Sequence, residues 1–458
     1  MNRYSQVFIE PVGDVPAAEV YHSRREALLQ KLDTIGLFCG ISQNPGSEEV
    51  YAETWNKMVQ DPSFLFLSGL NQPGCKLLLD PKADDAEHCE VLFLPKKDAN
   101  KEFWTGIKVA YAEESLAEVQ KLTGFKTILP ETEFWSYLNS RVQKQNLKTL
   151  EAFYLEFEGE TGLMSVKDDH NAKFAAELRK RFDGRVQVKS LAQKHMDLRV
   201  ILDDARIADS RRAQVWTNNA FGEFLKNLKN FKTEREAQLF LDYKMQVQSD
   251  GDLAFPTIMA NGKNACCLHY VKNDEALESG KLLLMDFGVR AGTQHSDISR
   301  TVPVNGKFNP LQKILYTIVL DAQKFHQKNV KPGAKLADLN PLVWDFIWNA
   351  LQERFVSKGG TFKLLYEKRP HGVSHLIGEQ IHEGDPFRCY MQKPLKPGML
   401  ISNEPGLYGY FEIDLDGIHY AEDVGIRIEN DLLVTETGCE DISAEIPREI
   451  AELEKLLA

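Results

Sequence analysis

Residues 281–304 read KLLLMDFGVRAGTQHSDISRTVPV. An apolar run, Leu282 to Met285, ends in Asp286, and a second β-type segment carries Asp297 at its start. Ala291-Gly292 between them offers a turn, so the stretch predicts a β-hairpin. With the tip on those two residues, cross-strand pairing sets Asp286 directly opposite Asp297. Two carboxylates at about 5 Å on a buried sheet repel, and a divalent cation between them turns the repulsion into coordination. A shifted tip, or an aspartate that is only a solvated turn residue, would remove that argument.

Working outward, GIRIENDLLVT (425–435) alternates Arg427 and Glu429 with Ile426 and Ile428. Strand period two sends the isoleucines to the core and the charged pair to the other face. Glu404 ends the apolar run Met399 to Asn403 and is pinned by Pro405-Gly406, where a lone acid also reads as a turn residue. HGVSHLIGEQIHE (371–383) gathers His371, His375 and His382, three of the chain's eleven histidines. The i, i+4 pair His371/His375 is not a zincin motif, because Gly372 and Val373 stand where HExxH needs its glutamate and weaken any helix. Four acids and one histidine make an oxygen-rich set suited to manganese, with cobalt(II) or zinc as alternatives. Such a set fits two ions better than one, and a pair of ions holding a bridging hydroxide suits hydrolysis of amides or esters.

The chain has 458 residues, more than the ~250 to 300 at which single cores divide, so two domains are expected. Its balance of 55 basic against 67 acidic residues gives a net charge of −12, which disfavours nucleic acid as a partner. The opening MNRYSQVFIEPVGD lacks the basic start and apolar core of a signal peptide, and no segment approaches the ~20 apolar residues of a membrane span. A cytoplasmic location without membrane contact follows as the expectation. Seven cysteines without CxxC spacing suggest reduced, mostly buried thiols rather than disulfides or a thiolate zinc site.

The first part reads as α/β, with a helix over 23–33 and strands at 35–41, 64–70, 76–79 and 91–94 around a charged loop, 80–88. A long helical pattern spans 190–228, and the boundary is placed just before Leu191, giving domains 1–190 and 191–458. Beyond it, strands at 281–289, 299–304, 398–403 and 425–435 interleave with helices at 310–328 and 338–358, an α+β pattern with a largely antiparallel sheet.

The segment order MDFG, SDISRT, HGVSH, NEPGLY and GIRIEN resembles the metal-binding signature of the pita-bread metallopeptidases. The resemblance implies a C-terminal pita-bread fold in which Asp297 and Glu429 bridge two ions, Asp286 completes one and His375 with Glu404 the other. His269, His371 and His382 match histidines that line the substrate pocket and assist proton transfer, and Glu404 the residue proposed to take the proton of the attacking water. Tyr408 and Arg427 match positions that shape the pocket.

FLFLSGLNQPGCKLLL, EVLFLP and KEFWTGIK resemble the creatinase-like domain that precedes the catalytic one in aminopeptidase P and prolidase. Trp104 matches an aromatic that approaches a neighbour's active site in oligomeric relatives, which implies a homodimer or homotetramer; by size alone it reads equally as a core residue. The implied activity is removal of the first residue from peptides with proline second. Xaa-Pro dipeptidase is the alternative, and Ser374 leans toward the aminopeptidase. A non-catalytic, protein-binding relative is a third reading, opposed by retention of all five ligands. GEQIHE, Cys266-Cys267 and an acidic, aromatic loop inserted over Gly409 to Asp423 depart from the family pattern.

Overall fold

The computed structural model describes residues 3–11, 15–41, 60–155, 169–249, 252–366, 369–384 and 389–458. Parts of the opening stretch, 1–2 and 12–14, lie outside the described residues. The chain divides into two units, Met1–Arg199 and Val200–Ala458.

In the first unit, strands β1 (Gly36–Cys39), β2 (Lys76–Leu79), β3 (Glu90–Leu94), β4 (Thr127–Pro130), β5 (Thr149–Ala152) and β6 (Gln187–Ser190) form one mixed sheet in the order β4-β3-β2-β1-β5-β6. Pairings β1/β2 and β2/β3 are antiparallel, while β3/β4, β1/β5 and β5/β6 are parallel. Helices Phe134–Lys144 and His170–Phe182 cover it, packing Phe134, Leu138, Phe174 and Leu178 on Leu37, Leu78, Phe93 and Leu150.

The apolar run at 64–70, expected as a strand, is instead the helix Pro62–Ser68. Its caps decide this: the Asp61 carboxylate accepts from the Ser63 and Phe64 N–H groups, Pro62 occupies the first turn and Gly69 closes the helix in the left-handed conformation. The expected helix near 23–33 runs earlier, Ala17–Leu29.

In the second unit, the long helical pattern is broken: Ala192–Arg199 closes the first unit, and Asp204–Asn227 opens the second behind an Asp203 N-cap. Strands β7 (Ile258–Asn261), β8 (Leu282–Phe287), β9 (Arg290–Ala291), β10 (Gln294–His295), β11 (Ile298–Pro303), β12 (Thr361–Leu364), β13 (Leu376–Ile377), β14 (Leu400–Asn403), β15 (Gly406–Leu415), β16 (Ile418–Arg427), β17 (Asn430–Val434) and β18 (Cys439–Asp441) build short sheets β11-β8-β7, β10-β9, β12-β15-β16 and β13-β14-β17-β18. Every pairing among these named strands is antiparallel.

The helix Pro310–Asn329 begins with a capping box, Asn309 with Gln312, and a proline in its first turn. With helices Asp204–Asn227 and Leu336–Arg354 it packs Phe221, Phe224, Leu315, Val319, Ile347 and Leu351 on Met285, Phe287, Ile298, Ile426 and Ile428. This is the α+β architecture expected. The stretch Gly409 to Asp423 is not a loop: β15 and β16 pair continuously from Gly406/Arg427 to Leu415/Ile418 and turn at Asp416-Gly417. Alternation of Phe411 and Ile413 toward the core carries the strand through the acidic residues that made it read as a loop.

Candidate metal centre

The hairpin that holds the two aspartates pairs Ser299 with Asp286 and Ile298 with Phe287, and farther out Gln294 with Ala291. Its tip is therefore Gly292-Thr293, one residue beyond the expected one, and Asp286 faces Ser299 rather than Asp297. Gly292 has φ +56°, which a two-residue hairpin turn requires at its first position and alanine resists. Asp286 and Asp297 stand diagonally on one face, a spacing of roughly 7–8 Å between backbones instead of ~5 Å. Beside them Gly288 lies so close to the partner strand that a Cβ there would fall 1.9 Å from the Ser296 carbonyl oxygen.

His375 immediately precedes β13 and Glu404 follows β14, and antiparallel pairing of these strands draws the two together. The His375 N–H donates to Ser402 Oγ (3.0 Å), and Ser402 Oγ in turn donates to Glu404 Oε1 (3.3 Å). Arg427 ends β16 and Glu429 precedes β17; as expected, Ile426 and Ile428 enter the core and the charged pair takes the other face. That face is buried too, with Arg427 4% and Glu429 2% exposed.

Asp297, His375 and Glu429 offer ligand atoms within 4.8 Å of one another. His375 Nε2 lies 3.4 Å from Asp297 Oδ2 and 3.4 Å from Glu404 Oε1. Asp286 joins through Arg427, whose Nη2 donates to its Oδ2 at 2.6 Å. Arg427 also donates to Ser299 Oγ through Nε (2.7 Å) and to Tyr408 Oη (3.4 Å), and Ser299 Oγ donates to Glu429 Oε2 (2.7 Å). His371 Nε2 is 3.1 Å from Tyr408 Oη, and the His382 ring, itself exposed, sits 4.3 Å from that of His375. His269 is exposed on the segment after β7, close enough to His371 for a charge on it to act there. Trp104 belongs to the helix Ala99–Thr105 of the first unit and is a surface residue, 77% exposed beside Phe103 at 84%.

Two participants escaped the sequence reading. Ser299 links Arg427 to Glu429, and Asp431 Oδ2 accepts the Asp297 N–H at 3.0 Å and a second hydrogen bond from Gln214 Nε2. Both were detectable as continuations of the period of two, Asp297/Ser299 and Arg427/Glu429/Asp431, on faces already assigned to charge.

Burial pushes Asp286 up to about 6 and Glu404 up to about 7, with Arg427 opposing in both and His375 also lowering Glu404. It drives Glu429 well above the usual carboxylate range, helped by Asp297 and Glu404. Against the effect of burial, the hydrogen bond to Asp297 and the Glu404 charge raise His375 to about 9. Burial lowers His371 to about 4, leaving it neutral at pH 7. Four carboxylates thus gather around Arg427 and His375, and Asp286 Oδ1 is buried with no hydrogen-bond partner among the described residues. An unpartnered buried carboxylate oxygen in a cluster rich in negative charge fits a site for divalent cations.

The model of metallopeptidase family M24 matches residues 208–436, half of the chain, and the chain belongs to that family. Its centre therefore takes divalent metal ions. Residues 21–150 match the N-terminal domain of aminopeptidase P. Xaa-Pro aminopeptidase 1 of Streptomyces coelicolor is 30% identical over 86% of this chain and 78% of its own length. Human Xaa-Pro aminopeptidase 3 is 28% identical over 87% and 76%. Among solved structures, proline aminopeptidase P II from Yersinia pestis superposes with a TM-score of 0.76 at 25% identity, covering 96% of this chain and 99% of that one.

Proposed function

We propose that the chain is an Xaa-Pro aminopeptidase, a metal-dependent hydrolase that removes the first residue from peptides with proline in second position. The observation that carries this reading is the convergence of Asp286, Asp297, His375, Glu404 and Glu429 from five strand ends onto one spot. These five would hold two divalent cations, and the oxygen-rich set favours manganese. When bound, the ions supply positive charge that acidifies water and polarises a carbonyl.

The chain's own groups do the rest. Glu404 is suited to accept the proton of the attacking water. His371, neutral and 3.1 Å from Tyr408 Oη, presents a hydrogen-bonding edge beside it. His269 and His382, both exposed, bind the peptide and can pass a proton to the departing proline nitrogen. Arg427 is locked by Asp286, Ser299 and Tyr408 and shapes the pocket wall.

In the same reading, 1–190 is the creatinase-like domain and 191–458 the catalytic one, close to the division at Arg199/Val200. The seven cysteines are all free, which supports the reducing cytoplasm. Exposed Phe103 and Trp104 support association into a dimer or tetramer.

The test is hydrolysis of Xaa-Pro-Yaa peptides by purified protein supplied with manganese. The first residue should be released, and Asp297→Ala should abolish release. Strong cleavage confined to Xaa-Pro dipeptides would move the assignment to Xaa-Pro dipeptidase. Absence of both bound metal and hydrolysis would leave a binding module.

A further inference from the structure

Glu234, in the first turn of the helix Glu234–Gln246, is fully buried, yet it faces no metal ligand. Its carboxylate collects four donors among the described residues. Oε1 accepts the Asn261 N–H (2.7 Å) and Asn264 Nδ2 (2.9 Å), while Oε2 accepts Tyr270 Oη (2.8 Å) and the Glu275 N–H (3.0 Å). Burial and then the adjacent carboxylate push the Tyr270 phenol up, which keeps it a donor.

All four donors belong to residues 261–275, the segment that runs from the end of β7 and carries His269 next to Tyr270. Around the histidine, Cys267, His269 and Val271 are exposed, while half-buried Leu268 and Tyr270 pack against a buried cluster that includes Ala265, Leu284 and Tyr408. Other pins hold the segment too: Tyr366 Oη donates to the Cys266 carbonyl (3.0 Å), Arg235 donates to the Lys272 carbonyl and Asn273 Nδ2 donates to the Thr257 carbonyl (2.7 Å). Asn264 Nδ2 also reaches Tyr270 Oη (3.1 Å), Cys266 Sγ reaches the Val424 carbonyl (3.4 Å) and the Glu234 N–H donates to the Glu275 carbonyl (2.9 Å). One buried charge therefore gathers both limbs of the turn that presents an exposed imidazole, and charge-assisted hydrogen bonds are the stronger kind.

We infer that Glu234 is a positioning residue for the peptidase reaction, holding the 261–275 turn that carries His269. The inference rests on the reading of His269 as a substrate-binding residue. Glu234 touches neither substrate nor ions; it acts through His269. The isosteric Glu234→Gln brings an amide N–H into the set, where it must face a donor and break at least one of the four contacts.

The test is a double-mutant cycle on the metal-loaded full chain with an Xaa-Pro-Yaa peptide. Glu234→Gln should lower kcat/KM about tenfold while metal content stays at the wild-type value, and Tyr270→Phe, a milder cut in the same set, about threefold. In a His269→Ala background Glu234→Gln should cost less than about twofold, since the group it positions is gone.

An equal loss in both backgrounds would overturn the positioning role, because Glu234 would then act independently of His269. So would wild-type kinetics in both Glu234→Gln and Tyr270→Phe alongside a damaged His269→Ala enzyme. A His269→Ala enzyme with undiminished kcat/KM would instead remove the reading of His269, and the positioning role with it.

Discussion

Two regions of the chain bury charge in opposite ways. In the first, Arg25 Nε meets Glu90 at 2.7 Å and Arg141 Nη2 meets Asp80 at 2.6 Å, with Gln145 also donating to Asp80. Each of those carboxylates has its own guanidinium, so burial and charge nearly balance within the chain, although Glu90 Oε1, with His22 Nδ1 at 3.0 Å, also lacks a hydrogen bond among the described residues. In the second, Asp286, Asp297, Glu404, Glu429 and Asp431 cluster about Arg427 and His375, and Asp286 and Asp431 each keep one buried oxygen without a hydrogen bond among the described residues. A balanced pair can be purely structural, whereas an excess of one sign is stable only if protons or cations from outside complete it. The contrast separates a carboxylate that an ion pair completes from one left for protons or cations to complete.

The largest expected effect comes from removing a ligand from the unbalanced cluster. Glu429→Ala should reduce kcat/KM on the order of 10³-fold or more, with bound metal lost in elemental analysis. Full metal content in an active Glu429→Ala enzyme would erase the distinction.

Breaking a balanced pair should do the reverse. Arg25→Met leaves Glu90 buried without its guanidinium and should destabilise the chain by ~3–5 kcal/mol in denaturant melts, with metal content unchanged.

Metal removal comes next. At ion concentrations about 100-fold above Kd each ion should contribute ~2.7 kcal/mol, lost on chelation. The chelated protein should also acquire a pH dependence of a definite sign. Asp286 and Glu404, raised to about 6 and about 7, contribute stability below their unfolded pKa values of ~4 that disappears as pH climbs through the folded values. His375, raised to about 9, loses its contribution in the same direction. Buried His295, His326 and His371, lowered to about 4, act the other way below ~6.5, so calorimetry in chelator should show Tm falling from pH 7 to pH 8, and falling less with metal present. A metal-free Tm that rises over that range would contradict the charge excess.

The smallest effect belongs to Ser299→Ala, which removes the hydroxyl linking Arg427 to Glu429. A loss of about 1 kcal/mol, seen as a five- to tenfold drop in kcat/KM at saturating metal, is expected.

Much of this was legible in local pattern. Alternation placed Ile426 and Ile428 in the core and Arg427 and Glu429 opposite them, and the helical pattern over 310–328 is the helix Pro310–Asn329. These signals live within a few residues, as do the five candidate ligands' positions at strand ends. Where local signals conflicted, reading by composition failed. FLFLS has strand residues but helix caps, and Glu412, Asp414, Asp416 and Asp423 made two paired strands resemble a loop.

What no local pattern could supply was register and partnership across distance. The hairpin tip fell one residue later than expected because Gly292, at φ +56°, starts the turn rather than ending it. Ser299 meets Glu429 across 130 positions and Asp297 meets Asp431 across 134. Glu234 gathers a turn whose donors lie 27 to 41 positions away. Periodicity records which face a side chain takes; which other face it meets depends on strand pairing and helix packing summed over the whole unit, and that is written in the folded geometry alone.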